Sequence, residues 1–239
     1  MVFIKIPRCV RNDNIKDMKK IAVIVAGGSG SRMNNTIPKQ FLLLDGKPVL
    51  YYTLHTFLNA YKDLHIILVL PEEYIAAGQE IIDAFFDYDR IQITTGGRTR
   101  FHSVQNGLQL VNEESIVFVH DAVRCLVSAD LVHRCYDTAV DKGSAIPVID
   151  SKDSVRLVTG NGNEALERSA IKMVQTPQTF HSKIILPAYQ IDYKEMYTDE
   201  ATVVEAFGLK VQLVEGEENN FKITRPVDIV IAEHLLSTN

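Results

Sequence analysis

The chain has 239 residues, 46% of them hydrophobic and 23% charged, with a net charge of −5. That length supports one large domain with a core of its own, without disulfide or metal staples. The acidic balance argues against a surface built to grip nucleic acid, and no apolar run approaches the ~18–20 residues of a membrane-spanning helix.

Residues 1–20 mix charges, Pro7 and asparagines without a period, and read as a disordered leader. They lack an apolar stretch long enough for a secretory signal. The three cysteines, Cys9, Cys125 and Cys135, are odd in number and lack C-x-x-C spacing. They read as reduced thiols of a cytoplasmic protein.

From residue 21 the pattern becomes regular. IAVIVA (21–26) is a β-branched run ending in glycines, the pattern of a buried parallel strand. Residues 48–60 carry Leu50, Leu54, Phe57 and Leu58 at helical spacing. LHIILVL (64–70) predicts a second strand, 72–86 a helix, IQITT (91–95) a third strand, and 99–111 a helix. SIVFVH (115–120) predicts a fourth strand, and Ser128 caps a helix whose Leu131, Cys135 and Ala139 share a face. Strands alternating with helices at this rhythm predict βαβ units and a mostly parallel sheet. The stretch 144–180 breaks the rhythm. SVRLVT and AIKMVQT flank a polar Gly/Asn loop, which predicts a hairpin projecting from the domain. Thr198 then caps a short helix ending at Gly208, LKVQLVEG (209–216) predicts a strand, and Thr224 with Pro226 opens a last helix.

The chemistry-bearing residues gather after the predicted strands. Ala26-Gly27-Gly28-Ser29-Gly30 follows the first strand, where a tight turn aims backbone N–H groups at an anion. It is not a Walker loop, since no Gly-Lys-Ser/Thr follows, and Met33 stands where a dinucleotide fingerprint needs its third glycine. Arg32 and Lys39 add two cations to the same loop, as a triphosphate under attack requires. Asp121 falls at the carboxyl end of a buried strand, the edge where open α/β sheets bind ligands. That position suits either a Mg²⁺ ligand or a turn aspartate before the next helix. His120 has no second histidine or cysteine at ligand spacing and reads as structural.

The compound pattern GGxGxRM, then PKQ after four residues, resembles the nucleotide loop of the sugar-phosphate cytidylyltransferases. Within them the chain is similar to the 2-C-methyl-D-erythritol 4-phosphate cytidylyltransferase family. GGRTRFHSVQNGL (96–108), HDAVR (120–124), ERSAIKMVQTPQTF (167–180), TDEA (198–201) and NFKITRPVDI (220–229) match that family's motifs in order.

The resemblance implies a Rossmann-like three-layer α/β/α domain over 21–239, with a β-arm at about 150–175. It implies transfer of a cytidylyl group from CTP to methylerythritol phosphate, with Mg²⁺ on Asp121. Ala26, Gly27, Gly28, Gly30, Gly97, Arg100, Ser103 and Asp121 would surround the nucleotide. Arg32, Lys39, Arg168 and Lys222 would be catalytic. Arg124, Thr176, Arg168, Lys222 and an arm hydroxyl would hold the sugar phosphate. A homodimer follows, with Arg168 and the arm completing the partner's site.

Three departures stand out. Cys125 occupies a common proline position, which implies a looser turn. Glu167 replaces an aspartate. The arm entry is long, so Ser151 and Ser154 compete for the hydroxyl; Ser154 is preferred because Val155-Arg156 then continues the pattern. Arg98 matches no family signature and reads as a surface charge. The rival functions are a ribitol 5-phosphate cytidylyltransferase, towards which Val123 leans, and a non-catalytic nucleotide-binding regulator.

Overall fold

The computed structural model describes residues 18–27, 37–86 and 88–238. Residues 1–17 of the expected leader 1–20, with Gly28, Gly30 and Arg32 of the glycine loop, lie outside the described residues. The first strand, β1 (Lys19–Val25), begins two residues inside the expected leader. Lys20 is buried there, paired with Asp63 at 2.7 Å and set over the rings of Tyr61 and Tyr136.

A short hairpin, β2 (Leu43–Leu44) and β3 (Lys47–Pro48), leads into α1 (Val49–Ala60). The alternation then runs as read from the sequence: β4 (Leu64–Leu70), α2 (Ile75–Phe85), β5 (Ile91–Thr95), α3 (Arg100–Leu108), β6 (Ser115–Asp121) and α4 (Ala129–Lys142). Strand β7 (Ser144–Asp150) precedes the arm hairpin, β8 (Arg156–Thr159) with β9 (Gly162–Ala165). Then come β10 (Lys172–Val174), β11 (Gln178–His181), α5 (Ser182–Ala188), α6 (Glu200–Ala206), β12 (Leu213–Glu215) and α7 (Pro226–Ser237).

Eight strands form one sheet in the order β10-β7-β11-β6-β1-β4-β5, with β12 joined to β7. The β6-β1-β4-β5 half is parallel, and β11 runs antiparallel between β6 and β7. Period-2 burial divides each central strand between two cores. Ala22, Ile24, Leu68 and Phe118 pack on one face with α1, α2 and α4 residues; Val23, Val69 and Val119 pack on the other with α3, α5 and α6 residues. This is the three-layer α/β/α domain the resemblance implied. Helix α3 lies close on the sheet because residue 107 is glycine: a Cβ there would stand 2.6 Å from a Val23 methyl.

Several local expectations are corrected. The arm hairpin closes between 156–159 and 162–165, so the polar loop itself supplies the second strand. AIKMVQT does not pair with SVRLVT; Lys172–Val174 returns along the end of β7 instead. Period-2 apolarity cannot distinguish these pairings, because all eight hairpin residues are exposed and no core face fixes their register. The β12 strand is three residues, not eight. Asp199, not Thr198, caps α6, its carboxylate accepting from the Thr202 N–H at 2.9 Å. Strand β11 and helix α5 were not read from the sequence.

Candidate active site

The loops leaving β1, β5 and β6 meet at the carboxyl edge of the sheet and enclose a cavity of about 360 Å³. Its walls include Ala26, Gly27, Lys39, Gly97, Arg100, Ser103, Asp121 and Lys222, so eight of the expected residues converge across 197 positions of chain.

Backbone geometry explains the glycines. The turn after β5 presses Gly97 against α3, where an added Cβ would stand 2.4 Å from the Cβ of His102. The Gly97 N–H donates to the Ser103 hydroxyl at 3.0 Å. Thr99 caps α3, so the helix presents its N-terminal end beside the cavity. On the opposite wall, the buried Gln40 amide donates to the Ala26 carbonyl at 2.6 Å and ties the Lys39 segment to the end of β1. Sequence reasoning missed Gln40, although the PKQ motif contained it.

Asp121 is the electrostatic centre. Its Oδ1 accepts from Arg100 Nε at 3.0 Å and its Oδ2 from Lys222 Nζ at 2.9 Å, with Arg124 Nε at 3.8 Å. Burial alone would raise this carboxyl, but Arg100, Lys222 and Arg124 hold it well below the usual carboxylate range. The Arg124 guanidinium also donates to the Asn220 carbonyl at 2.9 Å, while its buried Nε has no hydrogen-bond partner.

Behind Asp121 lies a neutral relay. His120 is fully buried, and burial pushes its imidazole down to about 3. Neutral imidazole carries one N–H. With that proton on Nε2, His120 donates to the Arg124 carbonyl at 3.2 Å and accepts from the Thr176 hydroxyl on Nδ1 at 2.9 Å. The Asp121 N–H donates to the same Thr176 oxygen at 3.2 Å. Thr176 therefore spends its proton inside the protein and steadies Asp121.

The other expected positions lie apart. Arg168 lines a separate concavity with Ser151, Lys152 and Glu167, its guanidinium donating to the Lys152 carbonyl at 3.2 Å. Ser151 shares that concavity; the preferred Ser154 does not, and is exposed. Arg98, read as a surface charge, is exposed but stands on the wall of the 360 Å³ cavity. Cys125 is buried with Leu44, Val49 and Ile223, its thiol pushed up to about 12 by burial, and the turn after Arg124 is closed by the Val127 N–H on the Arg124 carbonyl at 3.3 Å.

Glycine amides, a helix N-terminus and four cations around one small cavity favour a polyphosphate over a neutral ligand. On this sheet they define the class: a nucleotidyltransferase of the α/β/α type.

The chain belongs to the family described as IspD, 2-C-methyl-D-erythritol 4-phosphate cytidylyltransferase, whose model matches residues 20–238. It is 46% identical to the protein of that name from Phocaeicola vulgatus over 219 residues, covering 92% of this chain and all of the other. A Bacteroides fragilis protein of the same name is 46% identical over 220 residues, with coverage of 92% and 100%. The crystal structure of 4-diphosphocytidyl-2C-methyl-D-erythritol synthase from Anaerococcus prevotii matches with a TM-score of 0.80 at 30% identity. It covers 95% of this chain and 100% of that one.

Proposed function

We infer that the protein transfers a cytidylyl group from CTP to 2-C-methyl-D-erythritol 4-phosphate, yielding CDP-methylerythritol and diphosphate for isoprenoid precursor synthesis. One observation carries the reading: Lys39, Arg100, Asp121 and Lys222 line one cavity, in a chain that matches the family over residues 20–238.

The reaction needs no acid–base pair. A 4-phosphate oxygen attacks the α-phosphorus of CTP in line; the new P–O bond forms as the α–β bridge breaks and diphosphate leaves. The nucleophile is already anionic, so catalysis is positioning plus charge neutralisation. In this reading Ala26, Gly27 and the Gly97 turn hold the nucleotide, with Gly28, Gly30 and Arg32 completing the loop. Ser103 fixes the Gly97 edge against the base. Lys39 stands against the charge developing at the α-phosphate. Lys222 and Arg124 take the sugar phosphate. Thr176 acts by steadying Asp121.

Among the described residues no three His, Cys, Asp or Glu side chains form a metal cluster. Mg²⁺ needs only one or two carboxylates when phosphate oxygens and water complete its shell, and would use a lone pair of Asp121 left over by Arg100 on Oδ1 and Lys222 on Oδ2. When bound there, Mg²⁺ supplies positive charge against the triphosphate.

The arm would act in trans. Arg168 and Ser151 occupy a concavity distinct from the nucleotide cavity, and we assign the arm hydroxyl to Ser151 in place of Ser154. Leu157, Val158 and Met173 are exposed on and beside the arm, in keeping with burial in a homodimer. No described helix is long and apolar enough to cross a membrane. The free, buried thiols of Cys125 and Cys135 support placing the enzyme in the cytoplasm.

The test is diphosphate release with CTP and Mg²⁺, offering methylerythritol 4-phosphate and ribitol 5-phosphate separately. Turnover with the first alone is expected. Turnover with ribitol phosphate alone would move the protein to polyol-phosphate metabolism. Nucleotide binding without turnover on either would revive the regulator.

A further inference from the structure

Glu200 has no part in the reaction as derived, yet its side chain is wholly enclosed. It opens α6, and its two oxygens accept from Arg100 Nη1 at 2.5 Å and Nη2 at 3.2 Å. The Tyr189 hydroxyl donates to Glu200 Oε1 at 3.2 Å from the other side. Tyr189 is itself fixed, its ring stacked on Phe101 at 4.8 Å. The remaining nitrogen of Arg100, Nε, reaches Asp121 Oδ1. The planar guanidinium is thus held at three nitrogens by two carboxylates while it lines the cavity.

A buried carboxylate is costly, and stability alone is often served as well by an apolar residue. Here the charge determines where Arg100 points. Among the described residues the other carboxylate paired with Arg100 is Asp121, on Nε, and its second oxygen belongs to Lys222.

We propose that Glu200 is a positioning residue for nucleotide binding: it clamps Arg100 by both terminal nitrogens, so that Arg100 faces the CTP cavity and leaves Asp121 Oδ2 to Lys222. The inference rests on the cytidylyltransferase reading and names a part of its machinery that touches no substrate.

The test is Glu200→Gln, which keeps the size and loses the charge, with Tyr189→Phe as a milder variant that removes only the outer bond. Titration calorimetry measures the CTP dissociation constant with Mg²⁺ present, on protein shown folded by circular dichroism. Glu200→Gln is expected to weaken CTP binding by about tenfold or more, and Tyr189→Phe by less in the same direction. A merely structural role would lower the melting temperature and leave the affinity of the folded protein alone.

A double-mutant cycle with Arg100→Met distinguishes the route. Once Arg100 is gone, Glu200→Gln is expected to add less than about twofold; independent, multiplying effects would overturn the clamp. If wild type turns over while both single variants bind CTP within about twofold of it, this inference alone fails. A wild type that binds CTP but transfers nothing would instead overturn the function and leave the clamp readable in the binding data.

Discussion

Replacing Asp121 by Asn keeps the side chain's shape and removes the one charge on which Arg100, Lys222 and Arg124 converge at 3.0, 2.9 and 3.8 Å. Arg100 retains Glu200; Lys222 and Arg124 lose their carboxylate. Removing one member of a buried ion pair costs about 3–5 kcal/mol. The Lys222 side chain is 40% exposed, so water recovers part of that loss and the lower end, about 3 kcal/mol, applies. A chain of this size loses about 2–4 °C per kcal/mol, so the melting temperature is expected to fall by about 6–12 °C. The wild-type carboxyl is held below its unfolded value of about 3.9, despite burial, by its three cations. Its contribution is therefore fully present above that pH and lost as pH falls through the lower folded value. Melts by circular dichroism should keep the gap between pH 5 and 8 and close it in acid. Inorganic diphosphate, drawn to the uncovered cations, should recover part of the lost stability in the variant. In the diphosphate-release assay, kcat should drop by about 10²–10³. A melt within about 2 °C of wild type together with kcat within about threefold would refute the account of Asp121 as the centre of the site.

If the arm completes a neighbouring site, Lys39→Ala and Arg168→Ala should each be inactive alone, yet regain about a quarter of wild-type activity after mixed refolding, since half the dimers then carry one intact site. Mixtures no more active than their parents would place Arg168 in its own subunit's site or outside the reaction. His120 is neutral when folded, at about 3, against an unfolded value near 6.5, so its contribution is whole above pH 6.5 and drains as pH falls, by about 1.4 kcal/mol per unit. Wild type should therefore lose about 2 kcal/mol more than His120→Asn between pH 7 and 5 in urea melts, and parallel losses would show that His120 titrates normally. Gly107→Ala places a methyl 2.6 Å from Val23 and should cost about 1–3 kcal/mol in the same melts; an unchanged midpoint would mean α3 lifts off the sheet freely.

The sequence was most legible where one physical requirement governed a whole segment. Strand β4 begins and ends where its apolar run does, because every position but His65 is buried and leaves little tolerance for a polar residue. Ser128 was readable as a cap because its hydroxyl serves a local N–H, that of Leu131 at 3.0 Å. The arm was not readable in detail, since its exposed strands obey no inside–outside alternation. Strand β11 hid for a different reason: Gln178 and Thr179 are polar yet buried. Gln178 donates to Asp199 at 3.0 Å and accepts from the Ala201 N–H at 2.8 Å, so its burial depends on partners twenty residues away.

The same limit explains which site residues the chain disclosed. Glycines and cations near the strand ends carry their reason locally, as turn geometry and charge. Gln40, Glu200 and His120 act on other protein groups, and their meaning exists only once Ala26, Arg100 and Thr176 are beside them. That division follows from the chemistry of a reaction without an acid–base pair. Its transition state is stabilised by charges whose directions are set beforehand, so the residues that set direction matter as much as those that carry charge. Four cations within one small cavity repel one another, and left to solvent they would separate. Asp121 gathers Arg100, Lys222 and Arg124 from three segments, and Glu200 turns Arg100 among them. On the proposed assignment, a phosphate-binding site of this kind is specified by its two buried carboxylates, which bind no phosphate at all.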